Sequence, residues 1–234
     1  MTDRIPASRL LNPRRSFLAR VLSGAGALAV IVGIPGRLLG EGTGAESAIA
    51  HPGDDGLNEL KGKHRTVFDM SAHKTGKPLA QAKNYLDGWH DAFGVSERDV
   101  NLVIGVHGDA IPVVLNDALW ARYKLGEQYE VTDASTKSAS LRNPFSASNA
   151  AAAGLIASEQ SMEALQKRGV RFIVCMNTIA AAMKKLSGSG FGSPEEVHSA
   201  IMGGLMPGVM TVPAMVVALT QLQEHGLKYT KIAG

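Results

Sequence analysis

The sequence predicts an α/β fold, a three-layer α/β/α sandwich built on a mainly parallel sheet of about five strands. Three observations lead there. Residues 100–107 (VNLVIGVH) are almost continuously apolar, the pattern of a strand covered on both faces. Residues 170–175 (VRFIVC) repeat that pattern directly behind Gly169. Strand-like and helix-like segments alternate from about residue 64 onward, as a sheet with helical crossovers requires.

Taken in order, residues 66–70 read as the first strand. Leu79, Ala82, Leu86, Trp89 and Phe93 then recur at gaps of three and four, one face of a helix that Gly94 ends. The strand at 100–107 closes at Gly108, and residues 113–125 carry a second helical pattern. Residues 131–150, rich in Ser, Thr, Ala and Asn, read as a long loop around Asn143-Pro144-Phe145. Residues 158–168 are helical, Gly169 caps them, and the strand at 170–175 follows. A helix over 179–186 precedes a glycine-rich break at 188–192. Ser193-Pro194-Glu195-Glu196 forms a capping box, with Ser193 as N-cap and Glu196 reaching back, and opens a helix to about Gly203. Residues 209–212 read as a small strand, 214–224 as a helix and 227–232 as the last strand.

The first fifty residues carry a different signal. Arg14 and Arg15 stand in Pro13-Arg14-Arg15-Ser16-Phe17-Leu18, which resembles the twin-arginine (Tat) export signature. Residues 21–36 behind it are apolar but short and glycine-diluted, and Ala48-Ile49-Ala50 offers a small-x-small cleavage site. A spanning helix needs about 20 apolar residues, so cleavage is favoured over a membrane anchor. The expected organisation is a signal peptide at 1–50, a flexible lead-in at 51–63 and one domain at 64–234, acting in the periplasm, or held at the membrane if the signal is uncleaved. Residues 1–50 contain six of the 24 basic and three of the 21 acidic residues, so the remainder holds 18 of each. A balanced mature chain gives no reason to expect a nucleic-acid partner.

The candidate chemistry centres on Cys175, the single cysteine of the chain. No intramolecular disulfide can form. At the carboxyl end of a parallel strand, Cys175 lies where open α/β sheets place their ligand crevices. The helix after it offers N–H groups that favour negative charge, and Asn177 and Thr178 offer hydrogen bonds to the sulfur or a helix cap. The alternative is that Cys175 packs as a small inert hydrophobe. His107 ends the second strand, and in a parallel sheet it could lie at the same rim as Cys175, where it would stabilise a thiolate and move protons, or else satisfy a loop carbonyl. Asp109 would orient that ring or cap the next helix, and Asn143 would cover a pocket or start a turn.

Other chemistries have little support. The seven histidines show no ligand spacing, and no phosphate-binding loop, dinucleotide fingerprint or nucleophile elbow occurs. Met176, Met183, Met202, Met206, Met210 and Met215 would suit Cu(I) or ordinary packing, and packing is the better match to their spacing. Neither a metal nor a cofactor is expected.

Three stretches carry a family resemblance: Val103-Ile104-Gly105-Val106-His107-Gly108, the Asn143-Pro144 loop, and Gly169 through Val174 into Cys175-Met176-Asn177-Thr178. They resemble the DsrE/DsrF-like sulfur-relay family of small α/β proteins, over about residues 64–233. The resemblance implies a DsrE-like sandwich, a reactive cysteine at Cys175 and assembly into a trimer or hexamer, to which the residue reading above adds His107 as a catalytic support and Asn177, Thr178 and Asn143 as candidate substrate contacts. It also implies that sulfane sulfur is bound or transferred as a persulfide, as a carrier or sulfurtransferase. A lone cysteine has no resolving partner in its own chain, so a sulfur donor and an acceptor protein or small thiol are required, besides the twin-arginine translocase during export. The rival expectation is a non-catalytic oligomeric module that binds a ligand or partner in a periplasmic redox system.

Overall fold

A computed structural model describes residues 60–232. The expected export signal and most of the expected lead-in lie outside the described residues. Five strands form one sheet: β1 (His64–Ala72), β2 (Val100–Asp109), β3 (Arg171–Cys175), β4 (Val209–Val212) and β5 (Lys228–Lys231). Their order is β4-β3-β2-β1-β5 and every pairing is parallel. Helices lie on both faces, so the α/β sandwich expected from the alternation is what forms.

The helices are α1 (Lys77–Asp87), α2 (Asp117–Arg122), α3 (Leu125–Gln128), α4 (Ala150–Ala153), α5 (Met162–Lys167), α6 (Met176–Gly188), α7 (Pro194–Gly203) and α8 (Met215–Glu224). From β1 to β4 the chain steps across the sheet in one direction, and the connections contribute to one core. Phe68, Ile104 and Phe172 lie level on adjacent strands and belong to that core. Leu79 of α1, Leu165 of α5, Ile179 of α6 and Val197 of α7 cover them. The last connection runs back from β4 to β5, on the far side of β1. Parallel crossovers are right-handed, so reversing direction moves the helix to the opposite face. That helix is α8, whose Met215, Ala218, Leu219 and Leu222 pack with Val67, Val103 and Ile173 in a second, smaller core.

Several local readings need correction. The pattern at 113–125 is broken into a 3-10 turn at Ile111–Val114, α2 and α3, with Lys124 at φ 49° between the two helices. Phe93, placed on the buried face of the first helix, is exposed because α1 gives way to a π-turn at Gly88–Ala92. The helix expected from about Ile179 begins at Met176, immediately after β3. At the lead-in, Leu60 is buried in the smaller core and the Gly62 N–H donates to Asn101 Oδ1 at 2.5 Å, so residues 60–63 are tied to the sheet. The capping box of Ser193 and Glu196 forms as expected.

The long loop is stapled by polar side chains. Asp133 is buried, and its Oδ1 accepts from the Ser135 hydroxyl at 2.6 Å and the Ser135 N–H at 2.9 Å, while Arg142 Nε donates to its Oδ2 at 2.9 Å. The Ser135 hydroxyl first, with Arg142 and the turn N–H groups adding to it, holds the Asp133 carboxyl at about 2. A carboxyl depressed below its unfolded value stabilises the fold above about pH 4, and the contribution is lost as pH falls through the folded value. Asp133→Asn is therefore expected to cost on the order of 2 kcal/mol at pH 7. In urea melts at stepped pH, the gap between wild type and variant should close between about pH 4 and pH 2.

Candidate functional site

The site lies at the carboxyl ends of β1, β2 and β3, on the face covered by α8. Asp69, Gly105 and Ile173 are level on the three strands. Side chains on one face recur every second residue, so His107 and Cys175, two positions further on, share that face on adjacent strands. Both line a cavity of about 420 Å³ together with Asn177, Thr178, Met215 and Lys185.

Cys175 is 4% exposed, so solvent reaches it only through this opening. It serves as the N-cap residue of α6. Its Sγ accepts a hydrogen bond at 3.3 Å from the Met215 N–H, the first N–H of α8. The start of α8 therefore donates to the sulfur, while Cys175 makes no side-chain cap bond to α6. Gly105 makes this approach possible: a Cβ at this position would sit 2.7 Å from Met215 Sδ. The missing side chain leaves room for the methionine that anchors α8 under the cavity.

His107 is held from β1. Its Nε2 lies 2.5 Å from Asp69 Oδ1, and the Tyr229 hydroxyl donates to Asp69 Oδ2 at 2.7 Å. A carboxylate can only accept here, so Nε2 carries the proton and the other ring nitrogen is the basic one in the neutral imidazole. That hydrogen bond raises Tyr229 above the ordinary phenol value. Neither expected role of Asp109 is realised: the His107 ring is held by Asp69, the 3-10 turn at Ile111–Val114 has Ala110 as its N-cap with no side-chain cap bond, and Asp109 instead lines the cavity wall.

The remaining candidates divide. Thr178 lines the cavity, but its hydroxyl accepts from the Gly108 N–H at 3.1 Å and so joins β2 to α6. Asn177 lines the cavity from an exposed position on α6. The sulfur's donor is the backbone of α8, not the side chain of either residue. Asn143 is not brought to the site. It is fully buried, its amide donates to the Val113 and Leu115 carbonyls at 3.0 and 2.8 Å, and its Oδ1 accepts from the Phe145 N–H at 2.8 Å. Its turn role is the one realised, because those buried carbonyls need a donor.

Gly108 sits at φ 56°, and a Cβ there would lie 2.8 Å from the Ser71 carbonyl oxygen. Gly108→Ala is expected to destabilise the protein by about 2 kcal/mol, from left-handed strain and backbone collision together. Chemical denaturation measures it, and a cost below about 0.5 kcal/mol would contradict this geometry.

Residues that sequence reasoning passed over complete the surroundings. Lys185 of α6 donates to the Gln128 carbonyl, and its Nζ lies 4.0 Å from the Tyr129 ring centroid. Burial, with a smaller contribution from Asp109, pushes the Tyr129 phenol up to about 12. His73 Nε2 donates to the Tyr129 carbonyl at 2.9 Å, and its Nδ1 accepts from the Thr75 N–H at 3.3 Å. Burial lowers the His73 pKa, and the ring pins a turn in which Lys74 and Thr75 both have positive φ, 36° and 53°. Asp69, also passed over, is the one that left a trace in the sequence, as an acid between Phe68 and Met70 of an expected strand.

The methionines lie on opposite sides of the sheet. Met176, Met183, Met202 and Met206 pack on the larger core, Met210 and Met215 on the smaller. Among the described residues, no group of three or more His, Cys, Asp or Glu side chains is placed to hold a metal ion, and no helix is long and apolar enough to cross a membrane.

No protein-family model and no curated protein matches the chain. A solved structure of a protein of unknown function from Methanobacterium thermoautotrophicum is similar at 16% identity, over 72% of this chain and 99% of that one, with a TM-score of 0.40.

Proposed function

We propose that this chain is an exported DsrE-like protein that carries sulfane sulfur as a persulfide on Cys175. The observation that carries the reading is the hydrogen bond from the α8 N-terminus to Cys175 Sγ inside an open cavity that His107 also lines. The thiolate is the nucleophile in sulfur chemistry, and the Met215 N–H at the start of α8 is placed to donate to it. His107 takes the thiol proton. The Cys175 thiolate attacks the sulfane sulfur of a donor R–S–SH, the donor S–S bond breaks, and the leaving R–S⁻ recovers the proton from His107. Nothing is oxidised or reduced overall, since one sulfane sulfur changes carrier. Asn177 and Thr178 line the entry and exit route.

The twin-arginine pattern adds transport by the twin-arginine translocase and action in the periplasm. The family resemblance adds assembly into a trimer or hexamer. The single cysteine requires an external acceptor, protein or small thiol. A second reading, a non-catalytic binding module, is favoured by the low exposure of Cys175, 4%.

Intact mass spectrometry separates the two. Incubation with polysulfide is expected to add one or more sulfur atoms to the mature protein, removable by reductant. An unmodified mass, together with no iodoacetamide labelling without denaturant, would leave the binding-module reading.

A further inference from the structure

Beside the Cys175 cavity lies a second one of about 380 Å³, and Asp109, Tyr129 and Lys185 line both. The two differ in chemistry. Around Cys175 the wall is largely methyl and thioether, from Ala181, Ala182, Ala214, Met215 and Val216. The adjoining cavity is lined by two cations, Lys74 and Lys185, and two anions, Asp109 and Glu130. Burial lowers the His73 pKa, which disfavours a third positive charge on this wall. Lys185 is held in place by the Gln128 carbonyl and the Tyr129 ring.

This pattern discriminates among small sulfur compounds. An anion such as thiosulfate would meet the carboxylates of Asp109 and Glu130, and a cationic thiol would meet both lysines. A neutral thiol would answer none of the four charges. A molecule that carries a carboxylate and an ammonium group near its thiol answers both signs, while its thiol-bearing methylene suits the apolar wall at Cys175. Pockets of a few hundred cubic ångströms, apolar with a few convergent polar groups, are of the size that small ligands occupy.

We infer that the acceptor of sulfur from Cys175 is a small amino-acid thiol, cysteine or a cysteine-containing peptide of glutathione size, whose charged groups occupy the adjoining cavity. The inference rests on the reading of Cys175 as a sulfur carrier. In the step, the acceptor thiolate attacks the outer sulfur of Cys175–S–SH. The Cys175 S–S bond breaks, its electron pair stays on Sγ, where the Met215 N–H receives the charge, and the acceptor leaves as R–S–SH.

The test has two arms. In the first, the persulfide-loaded protein is mixed with cysteine, glutathione, 3-mercaptopropionate, cysteamine or 2-mercaptoethanol at equal thiolate concentration, and discharge is followed by mass. Cysteine or glutathione is expected to discharge Cys175 at least tenfold faster than each of the three simpler thiols. The preference should collapse in Lys74→Met with Asp109→Asn. Equal rates for all five would overturn the inference while leaving the carrier reading intact. In the second arm, S-methylcysteine and S-methylglutathione, which cannot accept sulfur, are titrated into the resting protein and followed by NMR. Saturable shifts at Lys74, Asp109 and Tyr129 are expected from at least one of them, and none from 2-methylthioethanol. Absence of saturation with both would overturn the inference even where Cys175 loads, whereas failure to load would overturn the carrier reading itself and the acceptor step with it.

Discussion

Cys175→Ser is expected to abolish sulfur uptake completely while the protein stays folded. The chain has one cysteine, so no other thiol can hold a persulfide. A serine hydroxyl still accepts from the Met215 N–H that now lies 3.3 Å from Sγ, and the start of α8 keeps its hydrogen bond. The stability cost should be about 1 kcal/mol, read from urea melts. Cys175→Ala gives a useful contrast. It removes the acceptor as well as the nucleophile, leaves a buried N–H without its partner, and should cost about 1–3 kcal/mol. Both variants are expected to gain no sulfur on treatment with polysulfide. A mass gain in either would place the reactive group elsewhere and sink the persulfide reading.

Asp69→Asn is the second large effect. Asp69 is 8% exposed and spends one oxygen on His107 and the other on Tyr229. As a carboxylate it accepts only, which fixes the proton on His107 Nε2. An asparagine amide can present its NH₂ to that nitrogen instead, moving the ring proton to Nδ1 and so exchanging the donor and acceptor positions of the ring. Acid–base help of this kind is worth about 10²–10⁴-fold. The rate of persulfide loading at pH 7 should therefore fall by about 10²-fold, with the final extent of loading unchanged. Tyr229→Phe keeps the carboxylate and deletes one hydrogen bond to it, so a loss of only a few-fold is expected, about 1 kcal/mol. If Asp69→Asn loads at the wild-type rate, His107 has no part in proton transfer.

The hydrophobic pattern was enough to locate β2 and β3, because strands buried on both faces read as apolar runs wherever the chain carries them, whereas β5, exposed at the sheet edge, was marked by the helix stop at Gly226 before it. Val100–Asp109 and Arg171–Cys175 appear within a residue or two of where the pattern ends. The capping box at Ser193 was legible for the same reason: its physics is local. Strand parity and position also put His107 and Cys175 at one end of the sheet. The failures were of another kind. Phe93 and the helix over 113–125 followed a correct periodicity into turns that tertiary packing had broken up. Asn143 belonged to a stretch that resembled a known family, yet its amide is used up by the carbonyls of Val113 and Leu115.

Local chemistry in the chain therefore determined the elements, the α/β class and the identity of the sulfur nucleophile candidate. The tertiary structure decided what surrounds it. The hydrogen bond from Met215 to Cys175 spans 40 positions, and the hold of Asp69 on His107 spans 38. Neither leaves a periodicity in the sequence, since both depend on strand order and on the side of the sheet that α8 takes. That side follows from the return of the chain from β4 to β5, a right-handed crossover running against the earlier ones. The direction of one connection brings a helix start to the sulfur, and only the folded chain reveals it.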